Sequence, residues 1–344
     1  MNVTNTGIWD KSPYAEYEAT VSQNEEHKPK RARVAEPEIP QPQDIEYQGK
    51  HIAQRSVAKW NSLYGDPKIW DDMFEYAVVN ATKKLKSGEM GSRELVTYLS
   101  DLRGTIAAVQ KNSAANKFGQ KRVENTCTLI RKNNIYGYAL DRAVNINYDE
   151  NFSAECIYNI IKWLGKALGP FTKGFRYGVV LGSIKGETIS LTQYIYCPFS
   201  HFDVLKKVFG YEPDNYVLGI ASRPESVVWL HTDPKKINKV MEHIYSLVDK
   251  ALTGDLTTIP RIHWWYVHLS PDCRGSGGIA EMITNTLCRL HGYDLPAWNQ
   301  GIAPSVEVLL EPNEEKFCEN YHKLFACGHD DLRKIFTDTL DEDS

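Results

Sequence analysis

His263–Pro296 reads HWWYVHLSPDCRGSGGIAEMITNTLCRLHGYDLP. An aromatic and apolar run leads into a glycine-rich loop, Ser270–Gly278 (SPDCRGSGG), and Ile279, Met282, Ile283, Thr286, Leu287 and Leu290 then recur at helical spacing. The stretch predicts a helix, a sharp corner and a second helix. Gly275, Gly277 and Gly278 let backbone N–H groups turn toward an anion, and a helix N-terminus adds partial positive charge. Arg274 is the side chain best suited to meet a phosphate or carboxylate there. Ser276 is expected to cap the second helix through its hydroxyl. The plainer reading of the same glycines is a corner and nothing more. Glu281, Asn285 and Arg289 share another face at spacing four, expected to meet solvent or a neighbouring helix.

Upstream of this stretch the apolar residues also fall at helical spacing. Val57, Trp60, Leu63 and Tyr64 form one stripe, and Ile69, Trp70, Met73, Phe74, Ala77 and Val78 form another behind Asp66-Pro67. Leu95, Leu99, Leu102, Ile106 and Val109 predict a further helix, and Arg122–Ile135 and Ala154–Leu168 two more. The period then changes. Tyr177–Ile184 and Thr188–Cys197 flank Lys185-Gly186 and predict a β-hairpin, and Tyr216–Ala221 and Ser226–His231 predict short strands around Arg223-Pro224. Helices are expected again at Lys235–Leu252, Ser276–His291, Pro312–Phe325 and His329–Leu340.

The expected fold is α+β, mainly α-helical, with a small antiparallel β element. Residues 1–48 are rich in Glu, Gln, Pro, Asn and Lys and are expected to be a disordered tail. Residues 49–344 are expected to form a single globular domain: a helical half over 49–170, a β-containing region over 171–232, and a helical core with C-terminal helices over 233–344. Within the tail lies Lys28-Pro29-Lys30-Arg31-Ala32-Arg33-Val34. Such a run serves as a nuclear import address or a polyanion contact, or is a plain solvated cluster.

Composition bounds the function. A hydrophobic content of 42% is ample for a packed core, and a net charge of −4 argues against nucleic acid as a partner except through the tail. The odd count of 7 Cys without a C-x-x-C pair reads as reduced thiols in a cytosol-like compartment. There is no apolar run of ~18 residues, so no membrane span is expected, and the N-terminus lacks the marks of a classical signal peptide. A cytoplasmic or nuclear setting, including action inside a host cell, is compatible with these features.

The segment Lys235–Pro296 resembles a Fic (Fido) domain core. His263 lies seven residues before Ser270, Pro271 falls on the motif proline, Gly275-Ser276-Gly277 falls on Gly-Asn-Gly, and the following helix ends in Gly292-Tyr293-Asp294-Leu295-Pro296. The resemblance implies a Fido-like helical core and transfer of AMP or another nucleotide from ATP or a relative, with Mg²⁺, to a target protein. The match is degenerate. Ser270 replaces the catalytic histidine, Asp272 the phenylalanine, Arg274 the metal-binding acid, and Gly278 the arginine. A relocated chemistry would use His268 as the base, Asp272 for the metal and Arg274 with Gly275, Ser276, Gly277 and Gly278 for phosphates. On the resemblance the protein is an effector or toxin acting on a host protein. The rival reading is a non-enzymatic interaction domain with a structural glycine loop.

A third reading is a cysteine-dependent enzyme, using Cys273 with His268, or Cys197 with His201. No HxxxH, HExxH or C-x-x-C motif is present, so no zinc is expected. Trp264-Trp265-Tyr266 is expected to be core rather than a base-stacking platform.

Overall fold

The computed structural model describes residues 67–125, 127–130, 176–196, 227–298 and 304–337. In chain order these form α1 (Pro67–Lys86), α2 (Ser92–Val109), β1 (Cys127–Ile130), β2 (Arg176–Ile184), β3 (Glu187–Tyr196), β4 (Val227–Leu230), α3 (Ile237–Leu252), α4 (Thr258–Leu269), α5 (Ser276–Leu290), α6 (Pro304–Leu310), α7 (Glu314–Asn320) and α8 (His329–Thr337). The fold is mainly helical with one small antiparallel sheet, as the changing period of the sequence implies.

α4 is the axis of the packing. Every residue from Thr258 to Leu269 is buried except the half-buried Arg261. A helix apolar all round must sit inside, because no face is left for water. α3, α5, α6, α7 and β3 surround it. Trp264 and Trp265 are both fully buried and meet edge to face, with ring centroids 5.5 Å apart. The Trp264-Trp265-Tyr266 run is therefore core.

The four strands lie in the order β1-β4-β3-β2, all antiparallel. Lys185 and Gly186, both at positive φ, close the β2–β3 hairpin as expected. Gly182 faces the Trp265 indole so closely that a Cβ would sit 2.2 Å from it. A side chain there would push the hairpin off α4. α1 and α2 pack against α5 through Met73, Phe74, Leu95, Leu99 and Ile106, the stripes read from the sequence.

Some expectations are corrected. Arg122–Ile135 is not one helix: residues 121–125 are irregular and Cys127–Ile130 is a strand on β4. The apolar run there is too short to fix its own period, and the tertiary partner decides it. The helix expected over Pro312–Phe325 is α7 followed by a 3-10 turn, Tyr321–Leu324. Pro304–Leu310 is an additional helix. The tail over 1–48 with its basic run, the helix at Ala154–Leu168, the strand at Tyr216–Ala221, and Cys197 and His201 all lie outside the described residues.

Candidate functional site

The corner between α4 and α5 is built by polar contacts. α4 ends because Ser270 turns left-handed, with φ at 46°, and Pro271 follows. The last carbonyls of a helix need donors from outside it. Arg122 supplies them: its guanidinium donates to Ser270 O at 2.9 Å and Leu269 O at 3.2 Å, and also to Thr232 O and Glu124 O. This cation, only 1% exposed, ties the helix end to the end of β4 and to the segment before β1.

Residues 117–122 then run along the loop. Arg122 N donates to Pro271 O, Cys273 N to Gln120 O, Arg274 N to Lys117 O, and Gly119 N to Arg274 O, over 2.8–3.1 Å. The loop's own amides at Cys273 and Arg274 are thus spent on protein. Gly119 has φ +70° and lies so near Ser100 O that a Cβ would be 1.9 Å away, so only glycine lets the two segments close up.

Asp272 turns inward. Its Oδ2 accepts from Ser276 Oγ at 2.9 Å and from Tyr266 OH at 3.1 Å, while Asp272 N donates to Ser276 Oγ. Burial raises its pKa to about 6 against the pull of those hydroxyls and of Arg122. Ser276 is therefore not the cap of α5. That place falls to Gly275, which has φ 93° and no side chain to bond the first-turn amides. Around this uncapped start stand Arg103 from α2, Trp70 from α1 and Ser305 from α6. Arg103 is 5% exposed, with its guanidinium between the Trp70 and Phe118 rings, 4.6 and 4.2 Å from their centroids. Cβ atoms built on Gly275 and Gly278 would meet Arg103 and Trp70, and one on Gly277 would meet Ser305.

The corner thus brings together Ser270, Asp272, Arg274, Gly275, Ser276, Gly277 and Gly278. His268 is placed elsewhere. It is fully buried, with Nδ1 3.0 Å from Thr192 Oγ1 and Nε2 3.4 Å from Glu311 O, and burial lowers its pKa to about 3. His263 is buried likewise, 2.9 Å from the Tyr321 hydroxyl. Cys273 is exposed at the tip, but burial of its sulfur and the Asp272 carboxylate push the thiol pKa up, away from an activated thiolate. Arg274 is exposed beside it. Among the described residues no group of three or more His, Cys, Asp or Glu is placed to hold a metal ion.

Sequence reasoning did not single out Arg103, Arg122 or Ser305, and it read Trp70 only as part of an apolar stripe. Arg103 carried a signal: it shares the buried face of α2 with Leu95, Leu99 and Ile106. A charge in register with an apolar stripe must have a specific partner. Arg122 carried none, since its role depends on contacts more than a hundred residues away.

Comparison with known proteins fixes the family. The family model described as avirulence protein, AvrB_AvrC, matches residues 51–327. Avirulence protein B of Pseudomonas savastanoi pv. glycinea is 32% identical over 100 residues, covering 27% of this chain and 31% of that protein. The alignment thus spans under a third of the relative's length. These matches overturn the resemblance to the Fic (Fido) core. What matched that motif was a glycine frame between two helices, a shape many folds need, while the positions that carry its chemistry, Ser270, Arg274 and Gly278, all departed from it.

Proposed function

The chain belongs to the AvrB/AvrC avirulence-protein family, and from that premise we propose that it is a pathogen effector that acts inside a host cell by engaging a host protein. The α4–α5 corner is its contact for an anionic group, a phosphate or a carboxylate, on that target. The observation that carries this reading is the uncapped start of α5 beside an exposed Arg274. First-turn N–H groups have no partners within their own helix, and Gly275 offers none from a side chain. Lys117 adds a second exposed cation, its carbonyl bonded to Arg274 N. His268 is given no role as a base, because both its ring nitrogens face the interior.

The test is titration calorimetry with inorganic pyrophosphate on wild type and Arg274→Ala. Loss of a charge-assisted contact costs about 1.5–3 kcal/mol, or roughly tenfold or more in affinity. Wild-type binding that Arg274→Ala weakens by that factor supports the corner. Binding that ignores Arg274, or no binding, overturns it. The effector reading is tested separately by expressing the full chain in host tissue, where the absence of any host response counts against it.

A further inference from the structure

Beyond the corner itself, we infer that a basic stripe running from it across the start of α3 is the docking surface for an acidic, extended segment of the host protein. This rests on the reading that the target is a protein, but not on the anion contact at Arg274. The stripe begins at Lys117, continues to Lys121 and passes to α3, because Lys121 Nζ bonds Asn238 Oδ1 in the first turn of that helix. Lys235 lies three residues before Asn238, in the 3-10 turn Pro234–Lys236 that leads into α3, and Lys236 is the N-cap of α3. Lys117, Lys121 and Lys235 are exposed.

The stripe is concentrated in a chain whose net charge is −4. It also opposes local electrostatics. Lys235 and Lys236 stand immediately before α3, whose first turn has no acidic residue, at the positive end of the helix dipole, where anions are favoured and cations are not; Asp233 caps the turn ahead of them by accepting from Lys235 N. The same helix shows the alternative: Lys239, in its first turn, is paired with Glu187 of the hairpin. The lysines of the stripe have no such acid among the contacts described. Positive charge left standing at a helix N-terminus is relieved by an incoming anion.

The shape of the surface selects the anion. From Phe118 the chain is bridged to the loop at Phe118 and Lys121 with a turn at Gly119 between them, and Phe118 and Arg122 are buried while Lys121 and Val123 are exposed. Val123 is 77% exposed, the most exposed large hydrophobic residue among those described. A partner laid along this edge meets cations with an apolar contact next to them. Glu124 and Asp233 interrupt the positive charge. A lipid headgroup layer or a nucleic-acid backbone carries its charge continuously and would be set against those carboxylates. A peptide can space its acids to avoid them.

The experiment uses the full chain and fluorescence anisotropy with a labelled peptide carrying spaced glutamates around a leucine, its glutamine analogue, phosphatidylserine vesicles and a single-stranded oligonucleotide. The variants are Lys121→Glu/Lys235→Glu and Val123→Ser, checked for wild-type circular dichroism. The expected result is peptide binding that weakens with salt, is absent for the glutamine analogue, falls at least tenfold in the double variant and falls severalfold in Val123→Ser. Peptide binding that survives the double charge reversal, or no peptide binding by wild type, overturns the stripe. So does binding of vesicles or oligonucleotide that depends on these lysines while the peptide does not. Pyrophosphate titration of the double variant separates the two proposals. Retained pyrophosphate binding with lost peptide binding is the expected pattern. Lysine-dependent peptide binding without any pyrophosphate binding leaves the stripe standing and removes the Arg274 contact.

Discussion

α4 and the corner that follows it are neighbours in sequence and opposites in how they are held. α4 is fixed by area: its aromatic and aliphatic side chains are enclosed on every side. The corner is fixed by charge and hydrogen bonds: a buried arginine on helix-end carbonyls, a buried carboxylate between two hydroxyls, and a backbone seam with residues 117–122. Burial by area tolerates substitutions of similar volume, whereas a polar corner fails when one member is lost and its partners are stranded. The difference shows where stability and recognition reside in this fold.

The sharpest way to break the comparison is to remove area from α4. Trp265→Ala empties the space of a fully buried indole beneath the β2–β3 hairpin and is expected to cost about 3–5 kcal/mol, read as a lower midpoint in urea unfolding. Arg122→Met keeps most of the volume but strands the carbonyls of Leu269, Ser270 and Thr232. Breaking a buried charged hub typically costs about 3 kcal/mol. The two should separate by location. Hydrogen exchange in Trp265→Ala is expected to rise through the core, and in Arg122→Met first at residues 117–124 and 270–275. Equal and global exchange in both would erase the distinction.

That distinction also explains what was legible in the sequence. The stripes of α1 and α2, the hairpin at Lys185-Gly186 and the helix–corner–helix of His263–Pro296 were all readable, because burial leaves a period in the residues that supply it. Arg122–Ile135, which contains β1, was misread as helix because its few apolar residues fit either period until a partner strand is known. Within the corner, the glycines and Arg274 were visible as a local motif. The reversal of Ser276 from helix cap to Asp272 partner was not, and neither was Arg122. Hydrogen bonds between distant segments leave no period. The same limit produced the Fic (Fido) resemblance, which rested on the local frame and not on the surroundings that give a frame its chemistry.

The two regions should answer pH with opposite signs. The buried histidines of α4, His263 and His268, have pKa values lowered to about 3 by burial. Unfolded histidine titrates near 6.5. Their contribution is present above about pH 6.5 and is lost as pH falls toward 3, because the unfolded chain then binds protons the folded core refuses. Asp272 runs the other way. Its folded pKa is raised to about 6 from 3.8, so the folded state holds the proton more tightly and stability falls as pH rises between those values. That shift corresponds to about 2–3 kcal/mol at neutral pH. Asp272→Asn keeps an acceptor for Ser276 and Tyr266 and removes the charge. It is expected to be more stable than wild type by about 2 kcal/mol at pH 7, with the difference vanishing toward pH 4. Urea unfolding across pH 4–8 gives the difference curve, and a flat difference would mean that Asp272 is not held at a raised pKa.

The smallest expected effect probes the point where the two regions join. Ser270 ends α4 in the left-handed region, with φ at 46° and ψ at 65°. A residue with a side chain is strained there by roughly 1–2 kcal/mol, and glycine is the usual occupant of such a helix end. Ser270→Gly removes that strain but gives the unfolded chain more freedom, at a cost of about 0.5–1 kcal/mol. The net expectation is a gain of about 0.5 kcal/mol. The gain depends on Arg122 still holding Ser270 O and Leu269 O in place, so it should vanish in an Arg122→Met background, where nothing enforces the left-handed turn. A double-mutant cycle measures this coupling. Additive effects would show that the turn is set by α4 and Pro271 alone, and that the corner is less a polar construction than its hydrogen bonds imply.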